Sequence, residues 1–166
     1  MKFFYPDLYI KSAYELDAGL LLERGVKVVI FDIDNTLVPY SVKDCPEKTE
    51  QFLQELEKSG LVPCFVSNNG KERVERFNAE KRYAVYKGGK PSKKAALTVA
   101  NHFGVECGSI AVVGDQIFTD IAFGKNAGAL TVLVPPIDPK HEPWYFVFKR
   151  LGEKIILYFY EKRKNK

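Results

Sequence analysis

Cysteine, histidine and long apolar runs are all scarce in this sequence, and each scarcity excludes something. The three cysteines, Cys45, Cys64 and Cys107, are odd in number and form no CxxC pair. That argues against both a disulfide framework and a zinc site. Cys64 lies inside an apolar run and reads as a core residue. The only histidines, His102 and His141, fall away from any expected strand end, which weighs against zinc or copper chemistry. No window reaches the ~18 uncharged apolar residues of a membrane-spanning helix. The opening MKFFYPDLYIK is broken by Pro6, Asp7 and Lys11, unlike a signal peptide. A cytoplasmic protein is the expectation. There is no internal repeat and no linker-like stretch, so residues 1–166 are expected to form a single domain.

What is present is unevenly charged. The formal net charge is +4, yet residues 140–166 hold eight Lys or Arg against three Glu, a net +5. The 139 residues before them therefore sum to −1. The basic excess belongs to the C-terminal segment.

Periodicity orders the elements. Ser12-Ala-Tyr-Glu15 fits a capping box, so a helix is expected over about 13–24, ending near Gly25. KVVIFD reads as a strand buried on both faces, and VPYSVKDCP as a turn-rich loop. A helix from about Glu47 to Lys58 is followed by the strand LVPCFVSN and the charged helix KERVERFNAEK. YAVY, SIAVVGD and LTVLVPP are three further strands, with helices SKKAALTVANHF and TDIAFGKNAG between them. Strands alternating with helices give an α/β fold, here a five-stranded parallel sheet with helices on both faces.

Ligands of such sheets bind outside the carboxyl ends of the strands. The first long strand ends in Asp32 and Asp34, the next in Ser67-Asn68-Asn69, and a later one in Gly114-Asp115-Gln116, with Asp120 a turn beyond. Lys90 follows the short strand between them. Carboxylates from three positions suit a hard oxygen-ligated cation, and Mg²⁺ is the usual choice beside a phosphate. A lysine and a serine next to the ion are what a phosphoryl group needs. One aspartate could attack phosphorus while a second handles the leaving group's proton. Two acids on one strand end would repel, and a bound cation is expected to reconcile them. Each piece alone is weak, since DxD pairs, SNN turns and solvated lysines are common. Their coincidence at four successive strand ends is the signal.

The segments DIDNTL (32–37), Ser67-Asn68, Lys90-Pro91 and GDQIFTD (114–120) resemble, in order, the four motifs of the haloacid dehalogenase (HAD) phosphatases. The likeness spans residues 26–134 and is strongest to the YqeG-type, subclass IIIA group, whose relatives include phosphatidylglycerophosphate phosphatases. The resemblance implies a HAD-like Rossmannoid core over 26–134. Asp32 would be the nucleophile that becomes an aspartyl-phosphate. Asp34 would be the general acid and base, with its carbonyl on the metal. Ser67 and Asn68 would hold phosphate oxygens, and Lys90 would neutralise the phosphoryl group and orient Asp32. Asp115 would complete the Mg²⁺ shell begun by Asp32 and Asp34, and Asp120 would join it directly or through water.

The intervals between motifs leave no room for a cap domain, so the site is expected to be open, roofed at most by the loop around Tyr40. An open site suits phosphate carried on something large. The C-terminal amphipathic helix, about 143–162, projects Trp144, Val147, Phe148, Leu151, Ile155, Tyr158 and Phe159 on one face and Lys149, Arg150, Glu153 and Lys154 on the other. Its main expected role is to complete the sheet's outer layer. Aromatic residues flanked by Lys and Arg also suit peripheral contact with an anionic membrane at its inner face. A nucleic-acid partner is not expected, because the basic residues lack a recognition fold. The leading expectation is a Mg²⁺-dependent phosphomonoester hydrolase acting on phosphatidylglycerophosphate. The alternatives are a phosphatase of a soluble sugar or nucleotide phosphate and a non-catalytic scaffold docking on membrane or RNA. The intact Asp32 and Asp34 argue against the scaffold.

Overall fold

The computed structural model describes residues 2–142 and 146–164. In chain order the elements are β1 (Leu8–Tyr9), α1 (Ala18–Glu23), β2 (Val28–Phe31), α2 (Glu47–Lys58), β3 (Val62–Val66), α3 (Lys71–Phe77), β4 (Ala84–Val85), α4 (Lys94–Phe103), β5 (Ile110–Gly114), α5 (Ala122–Ala127), β6 (Leu130–Leu133) and α6 (Phe146–Lys164). The sheet runs β1-β6-β5-β2-β3-β4 with every pairing parallel. Among the described residues it has six strands, not the five expected. The sixth, β1, is only two residues long, too short to show alternation, and lies against β6. Asp7 fastens it there: its Oδ2 accepts from the amide and the hydroxyl of Thr131 at 2.8 Å each.

The central strands are buried on both faces because each face has its own helical layer. Val29, Phe31 and Phe65 pack with Phe52, Leu53 and Leu56 of α2 and with Val74 and Phe77 of α3. Ile30, Cys64, Val66 and Val112 pack on the other side with Ala96 and Val99 of α4 and with Phe123 of α5. Cys64 is fully buried, as its apolar surroundings suggest, and burial pushes its thiol pKa up.

Two helix starts differ from expectation. Ser12 caps only a three-residue 3-10 turn, Ala13–Glu15, accepting from Tyr14 N. The α-helix proper begins later because Asp17 offers a better cap, its Oδ1 accepting from Leu20 N at 3.0 Å. The helix expected over TDIAFGKNAG opens instead with a π-helical turn, Ile117–Ile121.

The largest difference lies in α6. Phe148, Leu151, Ile155, Tyr158 and Phe159, from the face expected to pack, are 41–75% exposed. Trp144 lies outside the described residues. The helix is seated through Glu153 and Ile156, with Leu157 partly buried. Gly152 permits the approach, because a Cβ there would stand 3.2 Å from the Phe118 ring. The polar side turns inward because that is where unmatched carboxylates wait.

Candidate active site

β2 delivers the acids. Asp32 continues the strand's ladder, donating its amide to Val113 O at 3.0 Å. The chain then doubles back, Leu37 N bonding Ile33 O, through Asn35 at φ 64°, a left-handed conformation that asparagine tolerates. Lys90 answers Asp32: its Nζ donates to Asp32 Oδ1 and to Asp120 Oδ1, each at 2.6 Å. A different cation answers Asp34. Arg73 of α3 donates to Asp34 Oδ1 from Nε at 3.1 Å and from a terminal nitrogen at 2.8 Å, and Asn69 Nδ2 donates to Oδ2 at 2.6 Å. The repulsion between the two acids is thus relieved by two protein cations, one for each.

The other residues converge on the same edge. Ser67 is buried, and its Oγ accepts from Asn69 N at 3.1 Å. Asn68 grips the backbone of Lys90, accepting from its N at 2.8 Å and donating to its O at 3.1 Å. The amide expected to hold phosphate therefore spends its side chain on positioning the lysine. Asp120 Oδ2 accepts from Gln116 N at 3.0 Å. Gly114 makes this turn feasible, since a Cβ there would lie 2.3 Å from that of Asp120. Asp115 Oδ1 accepts from Thr36 Oγ1 at 3.3 Å.

Asp32, Asp115 and Asp120 each offer a carboxylate oxygen, all within 4.8 Å of one another. Three oxygen donors this close, with no nitrogen or sulfur among them, fit a hard divalent cation such as Mg²⁺. The Asp34 carboxylate is outside this group, held by Arg73. Burial, assisted by the neighbouring carboxylates, raises the pKa of Asp32 to about 7 and that of Asp115 to about 8, against the opposing pull of Lys90 and Arg150 respectively. Lys90 is fully buried, which works against its charge, but Asp120 and Asp32 outweigh burial and raise its pKa.

The site is less open than the motif intervals suggest. A cavity of about 160 Å³ is lined by Asp32, Ser67, Lys90 and Tyr40, and also by Glu142 and Lys149 from the C-terminal segment. Arg150 joins α6 to the site through the Asp115 carboxylate, through Asp115 O at 2.8 Å, and through Glu142 and Glu153. Lys149 donates to Gln116 Oε1 and Thr119 Oγ1.

Sequence reasoning missed Arg73, Asn69, Thr36, Glu142, Lys149 and Arg150. Arg73 could not be told from Arg76 on the same charged helix; Arg76 bonds Asp44 at the surface. Asn69 belonged to the quoted SNN but was given no role. The C-terminal residues belong to no motif.

The family described as HAD-hydrolase-like matches residues 88–136. The probable phosphatase YqeG of Bacillus subtilis is 33% identical over 157 residues, covering 94% of this chain and 91% of that protein. The chain belongs to the HAD superfamily, among its YqeG-type phosphatases. Phosphatidylglycerophosphate phosphatase 1 of Arabidopsis thaliana is 29% identical over 86% of the chain, which spans 44% of that longer protein. Among solved structures, the cobalt-bound deoxy-D-mannose-octulosonate 8-phosphate phosphatase of Haemophilus influenzae superposes with a TM-score of 0.53 at 17% identity, over 68% of this chain and 69% of that one. At that identity the likeness speaks for the fold alone.

Proposed function

We propose that this phosphatase is a Mg²⁺-dependent hydrolase of phosphatidylglycerophosphate, working through an aspartyl-phosphate on Asp32 at the inner face of a membrane. The observation that carries the chemistry is the Lys90 ammonium, buried between Asp32 and Asp120 beside the three-carboxylate group. Asp32, Asp115, Asp120 and the Asp34 carbonyl would hold the ion. What the ion supplies when bound is positive charge that offsets repulsion between the phosphoryl oxygens and the carboxylates.

The protein's own groups perform the transfers. A carboxylate oxygen of Asp32 forms the bond to phosphorus as the bond to the leaving alcohol breaks, and Asp34 gives that alcohol its proton. Asp34 then takes a proton from the water that cleaves the acyl-phosphate. Lys90 keeps Asp32 in place and neutralises the incoming group, beside Ser67. Arg73 and Asn69 fix the Asp34 carboxylate, and Arg73 also holds the neighbouring loop by bonding Val42 O and Lys43 O at 3.0 and 2.8 Å.

Two features support a lipid substrate. The curated relatives include phosphatases named for this lipid. The exposed apolar face of α6 also starts at Phe148, next to the pocket residue Lys149. Basic residues Lys154, Lys162 and Arg163 accompany that face, the arrangement that binds anionic interfaces. Among the described residues, no helix is long and apolar enough to cross a membrane.

Metal and pH should be linked. EDTA should stop turnover and Mg²⁺ restore it. Asp32 and Asp115 must release protons to bind the ion, so its apparent affinity should rise as pH goes from 6 to 8.5, with proton release measurable by calorimetry in two buffers. Both folded-state pKa values lie above the 3.8 of a solvated aspartate. The metal-free protein therefore holds protons that the unfolded chain has shed, and it loses stability as pH rises from about 4 through about 8. Mg²⁺ should raise Tm more at pH 8 than at pH 6. Full activity in EDTA would exclude this site as a metal centre.

Interfacial docking makes a separate prediction. Ile155 and Tyr158 are 53% and 60% exposed and stand well along α6 from the pocket. Burying a large apolar side chain gains about 1.5–3 kcal/mol. Both are already about half-buried, so the double change Ile155→Ser, Tyr158→Ser should weaken sedimentation with anionic vesicles by roughly 20- to 300-fold. Hydrolysis of a short soluble phosphate should stay within about twofold. High salt should weaken the wild-type association, because surface charges are screened over ~10 Å at 0.1 M. A wild type that neither sediments nor prefers vesicle-borne substrate would remove the lipid from this proposal.

A further inference from the structure

A larger cavity, of about 580 Å³, lies beside the catalytic one and takes no part in the chemistry above. Its walls come from the ends of β1 and β6, the prolines after β6, the turn at Ile117 and α6. Tyr9, Ile117, Leu133, Val134, Leu151 and Leu157 make that lining largely apolar. Small molecules bind in cavities of about 300–1,000 Å³ with apolar walls and a few polar groups.

The acids of the lining are already engaged. Arg150 bonds Asp115, Glu142 and Glu153, Asn35 Nδ2 donates to Glu142 at 2.9 Å, and Phe118 N donates to Glu153 at 3.3 Å. Three acids sharing one arginine repel an anionic head, so the part of a ligand seated here is uncharged. Lys154 also belongs to the lining, but it is exposed. Such a lysine keeps its ammonium in water while its methylenes join the apolar wall.

Two residues relate this cavity to its surroundings. Glu142 lines both cavities, so an occupant of one lies a single side chain from the other. Leu151 lines the apolar cavity and is also 59% exposed on the apolar face of α6. A molecule entering past Leu151 therefore comes from whatever that face rests on. A ligand with a phosphate for one cavity and an apolar tail for the other fits both.

We propose that the apolar cavity binds an acyl chain of the lipid whose phosphomonoester occupies the catalytic cavity. This rests on the phospholipid reading and adds to it a site for the tail. The chain would leave the membrane past Leu151, and the lipid would be held at both ends before phosphorus is attacked.

The test uses soluble ligands and no vesicles, so that binding to a lipid surface plays no part. One is dihexanoyl phosphatidylglycerophosphate, kept below the concentration at which it forms micelles; the other, glycerophosphoglycerophosphate, lacks the chains. Binding is measured by calorimetry on the Asp32→Asn protein with Mg²⁺, and turnover on protein with Asp32 intact. Each buried methylene is worth about fourfold in affinity, so the chain-bearing ligand is expected to bind about 30-fold or more tightly. Leu157→Trp, which fills the cavity, should remove most of that preference and act mainly on KM. Leu151→Gln, at the exposed mouth, should reduce it, and serves if the tryptophan variant melts early. The double change Ile155→Ser, Tyr158→Ser lies on the exposed face but outside the lining, and should keep it. Dihexanoyl phosphatidylcholine, which has chains but no monoester, should compete with the chain-bearing ligand.

Equal affinity for the two main ligands overturns the assignment, and rapid turnover of both would then leave the phosphatase reading intact. A preference lost in the double serine variant but kept in Leu157→Trp and Leu151→Gln also overturns it, as does phosphatidylcholine that strengthens binding of the chainless ligand. A preference that Leu157→Trp removes, without turnover of either ligand, sinks the proposed chemistry and leaves the acyl site standing.

Discussion

Replacing Asp32 by asparagine is expected to leave no more than about a thousandth of wild-type turnover on any phosphomonoester. Removing a nucleophile costs several orders of magnitude, because no other group can form the covalent intermediate. An amide at this position cannot form the acyl-phosphate. The variant should still fold, since Lys90 keeps Asp120 and one buried acid among several is neutralised. Initial rates on purified protein, with a thermal melt as control, decide the matter. More than a few per cent residual activity in a folded variant would mean that the nucleophile is elsewhere. Asp34→Asn should be milder, slowing each proton transfer by about 10² to 10⁴-fold.

Arg150→Met is expected to be the most destabilising single change outside the sheet. The guanidinium is only 14% exposed and faces Asp115, Glu142 and Glu153, whose side chains are 0–6% exposed. Breaking a buried ion pair by removing one partner costs about 3–5 kcal/mol, because the remaining charges are left uncompensated. In a chain of this size each kcal/mol moves Tm by about 2–4 °C, so a fall of roughly 6–20 °C should appear in a thermal scan. Arg150→Lys should recover only part, since an ammonium cannot reproduce the planar fork. Activity should fall with stability, because Asp115 loses the group that orients it. A variant that melts within about 1 kcal/mol of wild type would show that α6 is not seated on the site in solution.

The parts of the molecule legible in sequence were those whose meaning is local. Asp32, Ser67 and Asp115 each follow an apolar run, and Lys90 follows a short one after three intervening residues, so the strand ends that gather these groups could be read from sequence. The resemblance of the surrounding motifs then suggested what each residue does. Arg73, Lys149 and Arg150 were not legible, because nothing local distinguishes a buried cation from a solvated one. Their role depends on which acids the fold brings to them. The α6 helix shows the limit most clearly. Its periodicity marked the right two faces, but a rule that apolar faces point inward chose the wrong one. Unpaired carboxylates at the sheet edge attract the charged side, and Gly152 lets it approach. The strand β1 was missed for a simpler reason, since two residues cannot display a period.

The bond from Asn35 to Glu142 spans 107 residues, and that from Arg150 to Asp115 another 35. Both close across the active site. Chains fold domain by domain as they are synthesised, from the N-terminus, and distant contacts form only after their loops have closed. Asp32 is made early, but its surroundings wait for Glu142 and Arg150 to leave the ribosome. A nascent chain that has completed the six described strands still exposes a half-built pocket, with Asp115 held by Thr36 but lacking Arg150. The order of synthesis therefore leaves the site unfinished until α6 has emerged.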